Sequence, residues 1–353
     1  MADPLPRYDP TKTYRWNYEN APPPVDHNRR IAEVRGDWNF VGLPVDSPLG
    51  IAAGPLLNGK WCLYYAALGF DVLTYKTVRS GKRECYPLPN LQPVACENLS
   101  GSETRVPPTA QMRGSWAVSF GMPSSGPEVW RRDIESARRK LLSGKILCVS
   151  VVGTVQDGWG LDELAEDYAL CARWAVESGA DCIETNFSCP NVSTCDGQLY
   201  QDAVQSRCVA QAVRDAIGRV PLVIKIGHLP TTDSTEQLLD GIGDLVDGLA
   251  MTNSIATTVG TSDKELMFDS QHRGICGDAI RDASIRQIQQ FASVIHKRQS
   301  QVQLIGVGGI SSASDVRDYL DAGAHACHLA TAAMINPAVG LEIREELVGQ
   351  RQS

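Results

Sequence analysis

From about residue 49 onward, short apolar, β-branched runs alternate with longer segments of helical period, whereas the first 45 residues sustain neither pattern. Eight such runs occur, at residues 50–54, 72–78, 146–153, 182–188, 222–227, 248–254, 303–309 and 326–331. Near-continuous apolar runs, each followed by an amphipathic stretch, mark parallel strands buried on both faces and joined by crossover helices. Residues 161–178, 279–297 and 312–322 are good helix examples: the first opens on Asp162 and Glu163, and the last has Ser311 or Ser312 to cap it and Gly323 to end it. Eight strand-helix units predict an α/β fold, a closed (β/α)₈ barrel.

Residues 1–45, rich in Pro, Asn, Asp and Arg and including Ala21-Pro22-Pro23-Pro24, read as an extended arm lying on one barrel domain of residues 46–353. Two long connections interrupt the alternation, residues 79–145 after the second strand and 255–278 after the sixth. Both leave the carboxyl end of a strand, where barrels build active sites, so they are expected to form lids or substrate-contacting loops. The 353 residues carry 33 Lys and Arg against 41 Asp and Glu, a formal charge of -8 that argues against a nonspecific grip on nucleic acid or anionic lipid. No run approaches the roughly 18 apolar residues that span a bilayer. With 11 cysteines scattered largely through apolar runs, as Cys148 is, free thiols in a reducing, cytoplasmic setting are expected.

Candidate chemistry gathers at the strand ends. Gly306-Val307-Gly308-Gly309-Ile310 runs into Ser311-Ser312 at a helix start, so glycine amides and a positive helix end converge where a phosphate fits. A tight β/α turn is the plainer reading of the glycines alone, and Ser311 in the sixth position excludes a Rossmann fingerprint. Lys76 and Lys225 sit inside apolar strands and must find a carboxylate or an anionic ligand there. Asn186, Asn191 and Asn253 gather with Cys189 on one rim, a set suited to reading a flat heterocycle with a thiol for proton transfer. A buried structural cysteine is the bland account of Cys189. His325, Cys327 and His328 resemble metal ligands, but strand alternation sends His328 opposite to the other two, so no metal is expected.

In this order, Ala52-Ala53-Gly54, Thr74-Tyr75-Lys76-Thr77, Asn186-Phe187-Ser188-Cys189-Pro190-Asn191, Ile224-Lys225, Thr252-Asn253-Ser254, Gly274-Ile275-Cys276-Gly277 and Gly306-Val307-Gly308-Gly309 resemble the dihydroorotate dehydrogenase family, flavin-dependent TIM barrels, over roughly residues 48–347. The resemblance implies FMN in the barrel mouth. Its phosphate would lie on the backbone at Gly308, Gly309, Ala330 and Thr331, and its ring against Ala53, Lys76, Thr77, Asn186 and Lys225, with Gly54, Thr252 and Gly277 completing the cofactor set. Lys225 near the N1 and O2 edge would stabilise the negative charge of the reduced ring. A dihydropyrimidine-like substrate, dihydroorotate first, would be held by Lys76, Asn191, Asn253 and Ser254, with Ser119, Phe120, Gly121 and Met122 closing one side. Cys189 would remove a proton while hydride passes to flavin N5, and cysteine at that position resembles the soluble class. A thiol pKa of about 8.5 implies activity that rises with pH. A second copy of the chain or an electron-transfer subunit is the protein partner this implies.

Departures from the family fall on the substrate side. Where its loop commonly reads Asn-Ser-Met-Gly-x-x-Asn, this chain has Val118-Ser119-Phe120-Gly121-Met122-Pro123-Ser124, and an Arg common in the soluble class is replaced by Asn90. A missing amide typically costs about 1–3 kcal/mol per unmet buried partner, enough to shift substrate preference. Two further readings therefore stay open: a related flavin oxidoreductase acting on another dihydropyrimidine or cyclic amide, and a catalytically inert barrel that binds FMN or a phosphate. A non-flavin phosphate-binding isomerase is a third.

Overall fold

The computed structural model describes residues 5–23, 31–112, 114–188 and 195–349. In chain order the elements begin with α1 (Tyr14–Glu19), β1 (Trp38–Phe40), β2 (Leu43–Val45), β3 (Leu49–Ile51), α2 (Gly59–Ala66) and β4 (Val72–Val78). The first long connection carries β5 (Leu91–Pro93), β6 (Arg105–Val106) and β7 (Ser115–Val118) before α3 (Pro127–Lys140). Then come β8 (Ile146–Val151), α4 (Leu161–Glu177), β9 (Cys182–Asn186), α5 (Ala203–Ile217), β10 (Leu222–Lys225), α6 (Thr232–Ile242) and β11 (Gly248–Met251). The second connection holds β12 (Ile255–Val259) and β13 (Arg273–Gly277), followed by α7 (Arg281–Arg298), β14 (Gln303–Val307), α8 (Ala313–Asp321), β15 (Ala326–Leu329), α9 (Thr331–Ile335) and α10 (Val339–Gly349).

Strands β3, β4, β8, β9, β10, β11, β14 and β15 form the closed parallel barrel that the alternating pattern predicts, shut where Cys327 of β15 pairs with Leu49 of β3. Alternate residues divide between two cores because successive side chains point to opposite faces of a strand. Leu73, Tyr75, Leu147, Val149 and Ile183 face the helices. Val72, Ile146, Cys148, Cys182, Val223 and Ala326 face the barrel axis. Among the described residues, no helix is long and apolar enough to cross a membrane.

The arm is more ordered than its composition predicts. Thr13 caps α1, and β1 pairs antiparallel with β2, Phe40 opposite Leu43. This hairpin plugs the amino end of the barrel: Phe40 and Val41 join the inner core, and Phe40 stacks on His328 with ring centroids 5.4 Å apart. Strands of three residues leave too short a period for a pattern to register. A buried ion cluster closes the same end. The Asp71 carboxylate, just before β4, accepts from Lys145, from Arg344 Nη2 at 2.5 Å and from Ser47 Oγ at 2.5 Å.

The two long connections pair with each other. β7 lies antiparallel to β5 and to β13, and β12 runs antiparallel to β13 and parallel to β6. The resulting sheet, β5-β7-β13-β12-β6, stands on the carboxyl side of the barrel with its own core of Val94, Val106, Ala117, Val259 and Ile275.

Candidate active site

A cavity lies between the carboxyl ends of the barrel strands and the inner face of this lid sheet. Lys76 and Lys225 line it from the barrel, Trp116, Val118 and Cys276 from the lid. At one end β14 gives way to Gly308 and Gly309, whose φ angles are 129° and 67°. A Cβ at Gly309 would sit 2.6 Å from Arg281 Cβ, so the turn needs glycine for both conformation and space. Ala330, Thr331 and Gly277 line the cavity beside it.

The positive helix end expected here is already taken. The Ser311 and Ser312 amides each donate to the Asp315 carboxylate at 2.9 Å, and Arg281 pairs with the same group. Ser312 and Asp315 form a capping box on α8, so the Ser311 and Ser312 amides are engaged within the chain and the glycine turn and Thr331 face the cavity at this end. Asp278 also lines this end, and burial together with nearby Asp315 pushes its carboxyl up.

The floor is charged. Lys225 is 6% exposed, faces the cavity, and has neither hydrogen bond nor ion pair among the described residues. Below it lies Glu184, whose carboxyl burial pushes up while Lys225 and the Ser150 hydroxyl pull it down. His328 reaches the axis from β15 with both ring nitrogens lacking a partner among the described residues. Burial, with Lys225 adding to it, pushes the imidazole down to about 3, so the ring is neutral. His325, by contrast, accepts from the Leu304 amide at 3.1 Å on the outer side, as alternation predicts.

Of the other expected residues, Ala53, Gly54, Thr77, Asn186, Asn253 and Ser254 all line the same cavity. Lys76 carries its ammonium 5.4 Å from the Phe120 ring centroid, and Met122 Sδ accepts from Asn186 Nδ2 at 3.7 Å. Two of the amides act on the protein itself: the Ser188 N–H donates to Asn186 Oδ1 at 3.1 Å, and the Ser188 carbonyl accepts from Asn253 Nδ2. They brace the backbone that leads into Cys189. Cys189 and Asn191 lie outside the described residues.

Three expected site residues stand behind the cavity wall. Thr252 is buried with its hydroxyl unpartnered among the described residues. Ser119 Oγ accepts from Arg273 Nε at 2.9 Å, and Gly121 packs against the Tyr86 ring. Asn90 is structural: its amide donates to the Tyr86 and Ser119 carbonyls, both at 2.9 Å, tying the loop of Ser119 to Met122 in place. Residues that sequence reasoning missed are Trp116, Cys276, Asp278 and His328. Alternation had already separated His328 from His325, and that signal alone points His328 at the axis. Burial pushes the Cys276 thiol up to about 11, against the pull of Lys225, so it stays protonated.

Residues 37–350 match the family model described as dihydroorotate dehydrogenase. The chain is 32% identical to the dihydroorotate dehydrogenase of Dictyostelium discoideum, covering 96% of each. It is 29% identical to the catalytic subunit of dihydroorotate dehydrogenase B (NAD(+)) from Solidesulfovibrio magneticus, over 87% of this chain and 90% of that one. Among solved structures, the DHODH of Eimeria tenella in complex with ferulenol aligns with a TM-score of 0.70 over 96% of this chain and 89% of that one, a likeness of fold at 18% identity.

Proposed function

Because the chain belongs to the dihydroorotate dehydrogenase family, we propose that it oxidises dihydroorotate to orotate in the barrel mouth, with FMN as resident cofactor. The observation that carries this reading is Lys225, an almost fully buried ammonium that faces the cavity with no direct hydrogen bond or ion pair among the described residues, Glu184 acting on it only through space. Such a cation is costly unless a ligand completes it, and the reduced flavin edge is a ligand of the right charge. The glycine turn fits the other end of the same molecule. Gly308, Gly309, Ala330 and Thr331 would hold the phosphate, with Gly277 beside them, while Ala53, Gly54, Thr77 and Asn186 would border the ring and Thr252 back it.

FMN, when bound, supplies the two-electron acceptor. The chain supplies position and proton transfer. Lys76, Asn253, Ser254 and Asn191 would orient the substrate, and Trp116, Phe120 and Met122 would exclude water from above it. Cys189 is assigned proton removal on its Asn-Phe-Ser-Cys-Pro-Asn motif, with Asn186 and Asn253 fixing the approach through Ser188. A soluble acceptor or an electron-transfer subunit would reoxidise the cofactor in the cytoplasm.

Purified protein should be yellow, and anaerobic dihydroorotate should bleach it rapidly. Cys189→Ser should keep FMN yet be reduced far more slowly. A colourless protein that rejects FMN, or a yellow one that dihydroorotate leaves unbleached, refutes the proposal. A second reading keeps FMN and Cys189 but takes another cyclic amide. Val118 favours it, because it lines the cavity with no amide to offer, and the same titration with other dihydropyrimidines separates the two.

A further inference from the structure

The barrel interior holds a carboxyl group that the proposed reaction does not use. Alternation along β9 puts Cys182, Glu184 and Asn186 on the inner face, and Glu184 lies two residues below the cavity rim, 2% exposed. Its Oε1 has no hydrogen-bond partner among the described residues. The groups that face it come from several strands. β10 contributes Lys225, β8 contributes Ser150 and Cys148, and β9 itself contributes Cys182. Burial holds the Cys148 thiol protonated. From β15, His328 lies within the field of Lys225 and stays neutral, while Lys76 stands at the Phe120 ring. Near Glu184 the charge is therefore one carboxylate against one ammonium, in a space where burial penalises any uncompensated charge.

We infer that Glu184 takes up one solvent proton when the bound flavin is reduced, a positioning residue that acts through Lys225. The inference rests on the FMN reading above. A hydride carries two electrons and one proton into a neutral ring and leaves one added negative charge; the second substrate proton goes to Cys189. Before reduction, Lys225 at +1 balances Glu184 at −1. After it, Lys225 balances the ring, and Glu184 has become a neutral carboxyl group by binding a proton from water. The sum around Lys225 is zero in both states, so the buried ammonium never lacks one counter-charge nor faces two.

The test is a potentiometric titration of FMN-loaded protein with a chemical reductant and redox dyes, repeated across the neutral pH range for wild type, Glu184→Gln and His328→Gln. No substrate turnover is involved. Wild type and His328→Gln should take up one more proton per two electrons than Glu184→Gln. Each pH unit then changes their reduction equilibrium by a further factor of ten, about 30 mV for a two-electron couple. The reduced-minus-oxidised infrared spectrum of wild type should gain a carboxyl C=O band that shifts in D₂O, a readout that needs no variant. Equal pH slopes in wild type and Glu184→Gln, loss of the extra slope in His328→Gln alone, or absence of the carboxyl band overturns the inference. Failure of the wild-type protein to bind FMN overturns the functional reading first.

Discussion

Replacing Asp71 by Asn should destabilise the protein strongly while leaving its chemistry alone. The carboxylate is fully buried and accepts from two cations that are themselves buried, Lys145 and Arg344, as well as from Ser47. An asparagine keeps the shape, removes the negative charge shared by both cations, and turns an N–H toward one of them. Removing one partner of a buried pair costs about 3–5 kcal/mol. Arg344 keeps its bonds to the Gly69 and Ala32 carbonyls, at 2.6 and 3.0 Å, which puts the expected loss near the lower figure. An unfolding entropy of about 2.1 cal/mol/K per residue gives roughly 0.7 kcal/mol/K for this chain, so the melting midpoint should fall by roughly 4–7 °C. Calorimetry at matched FMN loading is the assay, because a ligand bound to the folded state shifts the midpoint by itself. Asp71 lies five residues before Lys76, about 16 Å along an extended strand, so flavin content and turnover at low temperature should match wild type. A variant that melts within about 1 °C of wild type, or that loses FMN while still folded, refutes the reasoning.

Gly309→Ala should abolish FMN retention with the fold intact, since the new Cβ meets Arg281 at a φ of 67°; a variant purified as yellow as wild type, with unchanged circular dichroism, contradicts this. Val118→Asn adds an amide to the cavity wall and should tighten competitive inhibition by orotate about twofold to tenfold, the value of one net hydrogen bond; unchanged or weaker inhibition counts against it. His328→Gln should flatten the acid side of the stability curve. The folded imidazole pKa of about 3 lies below the unfolded value, so its contribution is complete above about pH 6.5 and declines as the pH falls, by about 1.4 kcal/mol per unit. Urea midpoints of wild type and variant that fall equally from pH 6.5 to about 5 would remove His328 from the account.

The barrel is legible in the amino-acid sequence because its strands are local runs buried on both faces, but apolar runs report burial and not ladder pairing. Val72–Val78 is both expected and observed, whereas the run at 50–54 is strand only to Ile51; the Ala52 N–H still donates to the Leu329 carbonyl, and then Ala53 and Gly54 leave the ladder to line the cavity. The runs at 248–254 and 303–309 shorten for the same reason: Asn253, Ser254, Gly308 and Gly309 are cavity residues. The lid sheet was invisible. β6 has two residues, β5 ends on Pro93, and Arg105 pairs with Thr258, a partner no local pattern can name. Among site residues, those at strand ends were readable, while Ser119 and Asn90 were not, since their orientation is set by Arg273 and Tyr86 across the lid.

The two ends of the barrel treat the same problem differently. At the amino end Phe40 and Val41 exclude water, and the charged groups there are answered within the chain: Lys145 and Arg344 share Asp71, and the Gly69 and Ala32 carbonyls take further Arg344 N–H groups. At the carboxyl end Lys225 points at a cavity and makes no direct ion pair among the described residues, and Glu184 answers it only through space. Residue type does not separate Lys145 from Lys225, since both are buried lysines beside barrel strands. What separates them is whether the counter-charge is paired directly, as Asp71 is with Lys145, or acts only through space, as Glu184 does on Lys225. His328 stands at the boundary, stacked on the plug below and within the field of Lys225 above. Its neutrality keeps a further positive charge away from the floor, so the attraction of the site for an anionic ring edge is carried by the two lysines that line the cavity, Lys225 at the floor and Lys76 at the Phe120 ring.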